Sequence, residues 1–466
     1  MSQGTVNKLP YRDPARPVEA RVSDLLSRMT LEEKSAQLGS RWVYELLKEM
    51  RFSEPKARQL LGQGIGHITR IGGASSLGPK ESAELANAIQ SFLINETRLG
   101  IPAIVHEESC AGYMALGATC FPQAIGVAGT WDPDAVERMG EVIRTQMRAC
   151  GAHHALAPVL DLAWDPRWGR LEETFGEDPT LVAHFGVAYV QGLQGNALTG
   201  GVLATGKHFI GHSASEGGLH CAPVHLGQYE LHDLFLAPFQ AAIRDAHLAT
   251  LMNSYPELDG EVVAASRQIL TGLLREELGF EGLIVSDYEA ILMLHTYHRL
   301  APDLRRAAVL ALQAGIEVEL PTTVCYGDLL RQALEAGELE LETIQQAVRR
   351  HLQLKFDIGL FDAPYVEAGP VEEIFAASEN RTLAREIARK SLVLLKNDGV
   401  LPLERPLKTL AVIGPNAHSG RNLLGAVSYT HLRAHETVLD LVCRLLLEKK
   451  KTTRSDTPSA QRAEPC

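Results

Sequence analysis

The chain has no apolar run near the roughly 20 residues that a bilayer-spanning helix requires, so a soluble globular protein is expected, with no membrane partner. Cysteine is sparse: seven residues in 466, odd in number, scattered and never spaced as C-x-x-C. Cys110, Cys120, Cys150, Cys221, Cys325, Cys443 and Cys466 therefore read as buried free thiols, not as a disulfide scaffold or a zinc site. Positive charge is in deficit, with 45 Lys and Arg against 57 Asp and Glu and a formal net charge of −12. That balance argues against nucleic acid as a partner and is compatible with a neutral ligand such as a sugar. No G-x-G-x-x-G or G-x-x-x-x-G-K-[ST] follows a strand-like run, which leaves nucleotide binding without support. His106-Glu107-Glu108 is not H-E-x-x-H, and adjacent His153 and His154 would face opposite sides of a strand, so neither pair makes a metal site. No cofactor is expected. Met1 to Ala20 lacks the charged-then-apolar profile of a secretory signal, from which a cytoplasmic location is expected.

What is present is alternation. From about residue 20 to 360, short aliphatic or β-branched runs alternate with longer helical patterns, the signature of repeated βα units on a parallel sheet. Helix starts are marked by a capping box at Thr30-Leu-Glu-Glu33 and by the N-cap and proline pairs Asp132-Pro133 and Asp178-Pro179; Gly279 and Gly315 mark ends. Seven strand candidates lie between the helices: 66–70, 103–106, 155–159, 202–205, 249–252, 282–285 and 316–319. Seven is close to the eight of a (β/α)8 barrel. Glu107, Glu108, Lys207, His208, Asn253, Asp287 and Glu319 fall at or just past the strands' C-terminal ends, which share one face in a parallel barrel and carry its active sites. An open doubly wound sheet would also gather ligands there.

The division expected is an N-terminal extension at 1–20, a barrel at 21–360 and a linker at 361–380 containing Phe361-Asp-Ala-Pro-Tyr-Val-Glu-Ala-Gly-Pro370. At 381–426 a helix, about 379–391, and the runs Leu392–Leu395 and Leu410–Ile413 read as the start of another α/β layer. Only about forty residues follow Gly425, and they are rich in charge and threonine.

Asp287, in Ser286-Asp287-Tyr288, follows an apolar strand that could aim its carboxylate rigidly, with Tyr288 beside it as a sugar-stacking face. Taken alone it reads equally as a helix cap. Lys207-His208 at another strand end suits donation of hydrogen bonds to hydroxyls, or the satisfaction of core carbonyls. The polar stretch from Asp165 to Pro179 holds two arginines, a tryptophan and five acids, and reads as a rim for a polyhydroxy ligand or as a solvated salt-bridge loop.

Taken in order, Arg28-Met-Thr-Leu-Glu-Glu-Lys34, Phe121-Pro-Gln-Ala124, Asp165-Pro-Arg-Trp-Gly-Arg170, Lys207-His208-Phe209, Ser286-Asp287-Tyr288 and the run from Ser391 to Leu403 closely resemble glycoside hydrolase family 3. The resemblance covers roughly residues 20 to 425. It implies a retaining exo-acting β-glycosidase acting on small β-glycosides or oligosaccharides with terminal glucosyl or xylosyl units. By it Asp287 is the nucleophile, Arg170, Lys207 and His208 hold sugar hydroxyls, Tyr255 sits near the nucleophile, and Glu108 stands where many members grip distal hydroxyls with an aspartate. One family branch cleaves β-N-acetylglucosaminides with an Asp-His pair after Lys-His-Phe; this chain has His212 and His220 there but no aspartate from 209 to 224. In two-domain members the acid/base glutamate lies on a second α/β sandwich domain. That domain is expected to be truncated here, because from Val427 the chain resembles translated adapter read-through and 427–466 reads as a non-native tail. The resemblance therefore leaves two expectations, a glycosidase and a sugar-binding fragment with little or no turnover.

Overall fold

Helix starts follow the side chains that satisfy their free N–H groups. Thr30 and Glu33 form the reciprocal capping box that opens Leu31–Gln37. Asp132 accepts from the Ala135 N–H at 3.0 Å ahead of Pro133–Ala149, and Asp178 accepts from the Thr180 and Leu181 N–H groups ahead of Pro179–Gln194. Each cap removes an unsatisfied donor that would otherwise cost about 1 kcal/mol. These two helices pack closely because both are cut back to glycine where they meet. A Cβ on Gly140 would lie 2.9 Å from the Gly192 Cα, and one on Gly192 would lie 2.2 Å from the Glu137 carbonyl oxygen.

The computed structural model describes residues 9–403, 409–414 and 417. Its main sheet has seven strands, all parallel: β1 (Ser40–Trp42), β2 (His67–Thr69), β3 (Ile104–Glu107), β4 (His154–Ala155), β5 (Leu203–Phe209), β6 (Thr250–Asn253) and β7 (Leu283–Val285). Spatial order equals chain order, and every crossover passes through a helix, as parallel pairing requires. The sheet curls, and segment 316–320 bonds to both of its edges. On one side Glu317 N–H donates to Ile284 O and Ser286 N–H to Val318 O, both at 2.9 Å; on the other Glu319 N–H donates to Leu38 O at 2.9 Å.

Alternate strand residues fall into two separate apolar clusters. Val105, Ala204, Leu251 and Ile284 pack with the helices. Ile104, Leu203, Met252, Leu283 and Val285 join Val318 and Leu320 in a second cluster. A period of two separates faces, so these clusters are the outer and inner faces of the curled sheet. Four buried histidines, His67, His106, His154 and His351, stand together, with neighbouring ring centroids 4.9 to 6.3 Å apart.

Three expectations change. Strand β1 was not foreseen, while segment 316–319, expected as a strand, makes only one ladder bridge, Val285 with Val318. The strand foreseen at 155–159 is broken after Ala155, where Pro158 has no N–H for the ladder, and returns only as the single bridge Val159 with Lys207. The helix expected near 379–391 is Ser378–Lys390, but Leu392–Leu395 and Leu410–Ile413 are not strands. Unpaired runs form no ladder, and these stay in solvent, Leu395 at 93% and Ile413 at 92% exposure. The tail expected at 427–466 lies outside the described residues. No helix among the described residues is long and apolar enough to cross a membrane.

Candidate active site

The centre of the site is Asp287, two residues past β7, and its two oxygens have different surroundings. Oδ1 accepts from the Tyr255 hydroxyl at 2.8 Å and from the Tyr288 N–H at 2.7 Å. Oδ2 is buried without a hydrogen-bond partner among the described residues, and its near neighbour is His208 Nε2 at 3.6 Å. Burial pushes the Asp287 carboxyl up from its ordinary value, and Arg170, Lys207 and the Tyr255 and Tyr288 donors oppose that. Tyr255 is raised well above its ordinary value by burial and then by Asp287, so it stays protonated and remains a donor. The same hydroxyl lies 2.9 Å from the Tyr288 carbonyl, so its single proton is shared between that oxygen and Asp287 Oδ1, which ties down the turn after the strand. Asn253, at the end of β6, accepts the Asp287 N–H through its side-chain oxygen at 3.3 Å.

Around this carboxylate stand two ion pairs and one histidine–carboxylate pair. Lys207 Nζ meets Glu108 at 3.0 Å, both buried. Burial opposes the Lys207 charge, yet Glu108 leads the negative groups that raise its pKa. Arg170 clamps Glu173 through two bonds of 2.9 and 2.7 Å. Here too burial opposes the charge, and Glu173 then Asp287 outweigh it, so the guanidinium stays charged. His208 places Nδ1 2.7 Å from Asp161 Oδ2, and the same oxygen accepts the His208 backbone N–H at 3.0 Å. Burial, Arg170 and His212 hold the imidazole neutral, and burial pushes Asp161 up to about 7. The half-buried Tyr288 ring lies edge-on to Trp42 at 5.7 Å, and its hydroxyl meets His106 Nε2 at 3.2 Å.

All seven residues singled out from the sequence, Glu108, Arg170, Lys207, His208, Tyr255, Asp287 and Tyr288, thus belong to one connected site. Glu107 and Glu319, flagged by the same strand-end rule, do not join it. Glu107 accepts the Gly72 and Gly73 N–H groups, and Glu319 accepts those of Cys325 and Tyr326, so each ties down a loop. The 165–179 stretch divides: Arg167 stays exposed on Asp165, whereas Arg170 turns inward. Asp161 and Glu173 were missed. Asp161 lies two residues past the expected strand 155–159, the same signal that singled out Asp287; Glu173 was one of five acids in the flagged 165–179 stretch, and nothing in the sequence distinguished it from the other four. Among the described residues no group of three or more His, Cys, Asp or Glu could hold a metal ion.

Fold and site together define an α/β protein of barrel type, with a buried, charge-paired polar site at the C-terminal ends of its strands. Residues 30–354 match the glycosyl hydrolase family 3 N-terminal domain, and the chain belongs to that family. It is 35% identical to a β-xylosidase from Formosa agariphila over 356 residues, 72% of this chain and 49% of that protein. It is 32% identical to a periplasmic β-glucosidase from Salmonella typhimurium over 418 residues, 88% of this chain and 52% of that one. Among solved structures, a β-glucosidase from Erythrobacter marinus superposes with a TM-score of 0.79 at 35% identity, covering 84% of this chain and 52% of that one. A β-glucosidase from Listeria innocua, solved with laminaribiose, gives 0.74 at 31% identity, covering 82% and 53%. The chain spans about half the length of the curated relatives it matches.

Proposed function

We propose that this chain carries the sugar pocket and the nucleophile of a retaining, exo-acting β-glycosidase that removes terminal β-D-glucosyl or β-D-xylosyl residues. The observation that carries the reading is the asymmetry of Asp287. One oxygen is fixed by two donors while the other is buried and without a donor, beside the neutral His208 ring and under the influence of the Arg170 and Lys207 charges. A carboxylate so held can attack an anomeric carbon along one line, and its ester to the sugar is the intermediate that retention requires. Arg170, Lys207 and His208 supply polar groups for sugar hydroxyls, and Arg170 and Lys207 also favour the charged form of Asp287. Substrate class comes from the relatives, whose names are β-glucosidase and β-xylosidase.

A retaining enzyme also needs an acid about 5 Å from the nucleophile. Glu107, Glu108, Asp161 and Glu173 are each committed to a partner. By the family resemblance the acid/base glutamate belongs to a second domain, and we assign that role to none of the described residues. Leaving groups test this. Dinitrophenyl β-D-glucoside, which departs without a proton, is expected to be hydrolysed, and an alkyl glucoside to lag by roughly 10²- to 10⁴-fold. Equal rates on both would contradict that assignment. Glucose binding by calorimetry with no turnover of either would support the alternative of a sugar-binding fragment.

A further inference from the structure

His208 touches two carboxylates through its two ring nitrogens, and the contacts are unequal. Nδ1 is 2.7 Å from Asp161 Oδ2, whereas Nε2 is 3.6 Å from Asp287 Oδ2, beyond hydrogen-bond distance. Asp161 is 3% exposed, and the oxygen that faces Nδ1 also takes the His208 backbone N–H, so it is oriented as an acceptor. In a neutral imidazole only one nitrogen carries a proton, and the hydrogen bond made by one nitrogen decides the state of the other. An acceptor against Nδ1 therefore leaves Nε2 bare.

We propose that Asp161 is a positioning residue. It holds His208 in the Nδ1–H tautomer, so that the nitrogen facing Asp287 cannot donate to Oδ2, the oxygen that attacks. The inference rests on the nucleophile reading above. The opposite tautomer would point a proton at Oδ2 and tie up the lone pair that must form the new bond. The unpartnered state of Oδ2 agrees with the bare form. The other charged or titratable groups acting on His208 are Arg170, Lys207, His212 and His220, all of which favour the neutral ring. With Nε2 bare, His208 accepts a hydrogen bond from a sugar hydroxyl. Its Nδ1–H remains with Asp161 throughout.

The test is the rate at which 2,4-dinitrophenyl 2-deoxy-2-fluoro-β-D-glucoside, or its xyloside counterpart, labels Asp287. In this step Oδ2 forms the bond to the anomeric carbon, and the bond to the phenol oxygen breaks. The electron pair leaves with the phenolate, so no proton donor is needed. Asp161→Asn keeps an oxygen acceptor in place, and its maximal labelling rate is expected to stay within about threefold of the parent. Asp161→Ala frees the ring, and labelling is expected to slow by roughly 10- to 100-fold, by analogy with the partners that orient metal-bound histidines. Nitrogen-15 spectra of the unaltered protein, with His208 assigned by the signals lost in His208→Asn, should place Nε2 among unprotonated nitrogens. Labelling of Asp161→Ala as fast as the parent overturns the proposal. So does Asp161→Asn as slow as Ala, or a protonated Nε2 in the parent. A parent that is never labelled at Asp287 overturns the nucleophile reading itself, and the two failures are thereby distinct.

Discussion

Two groups of buried histidines and charges meet inside this molecule, and they solve the cost of burial in opposite ways. At the strand ends, Lys207 pairs with Glu108, Arg170 with Glu173 and His208 with Asp161. Deeper in the fold, His67, His106, His154 and His351 lie together with five ring nitrogens that have no hydrogen-bond partner among the described residues. Burial holds these four rings neutral, His154 down to about 3. The site thus keeps the Lys207 and Arg170 charges by pairing them, while His208, like the interior rings, is held neutral. Buried charge in a site is retained when a ligand or a reaction uses it, because paired ions are weak contributors to stability in themselves.

The largest expected effect breaks the first region at its centre. Asp287→Ala should lower dinitrophenyl glucoside hydrolysis by roughly 10⁴-fold, the scale seen when a catalytic carboxylate is removed. Thermal stability should change little by comparison, because the two bonds to Oδ1 are lost while the cost of burying a carboxylate is relieved.

Next comes the pairing. Arg170→Ala leaves Glu173 buried and unpaired, and chemical denaturation should show a loss of about 3–5 kcal/mol. Replacing both, as Arg170→Met with Glu173→Leu, should recover most of that stability while glucose affinity in calorimetry stays low. If the double variant regains the affinity, Arg170 is a structural group and the comparison fails.

The smallest effect concerns the interior. His67 has neither ring nitrogen partnered, and burial and then His351 hold its pKa well below the ordinary value. Above about pH 6.5 both folded and unfolded states are neutral at this ring, and its contribution is fully present. As pH falls below that value, the unfolded chain takes a proton that the fold refuses, so stability is lost toward the depressed folded value. Glu107 and Asp161, both pushed up to about 7 by burial, act with the opposite sign over part of that range. The difference between parent and His67→Phe isolates the ring. Urea unfolding at pH 7.5 should show a change within about 1 kcal/mol, the net worth of one ordinary hydrogen bond. At pH 5 the variant should have lost less stability than the parent, and an equal loss would contradict the account.

Much of this was legible in the sequence because strand ends in a parallel sheet share a face. Asp287, Lys207, His208 and Glu108 all follow that rule, and the ordered family motifs added Arg170 and Tyr255. The helix caps at Thr30, Asp132 and Asp178 were equally plain, since each is a short-range contact. What escaped was long-range or locally unmarked. Strand β1 is three residues, Ser-Arg-Trp, with no aliphatic run to announce it. The rule that found Asp287 also named Glu107 and Glu319, because spacing cannot say whether a carboxylate meets a ligand or a backbone N–H. The four interior histidines come from three strands and a helix, and nothing local marks them as neighbours. Leu392–Leu395 carries strand composition, yet composition cannot supply a partner strand.

The most direct test of the central claim uses Asp287→Gly with dinitrophenyl β-D-glucoside and added azide. The account predicts a variant that is inert alone and revived by azide, which enters the space left by the carboxylate and gives the α-glucosyl azide. Hydrolysis that persists without azide, or a β-configured azide product, would contradict Asp287 as the nucleophile.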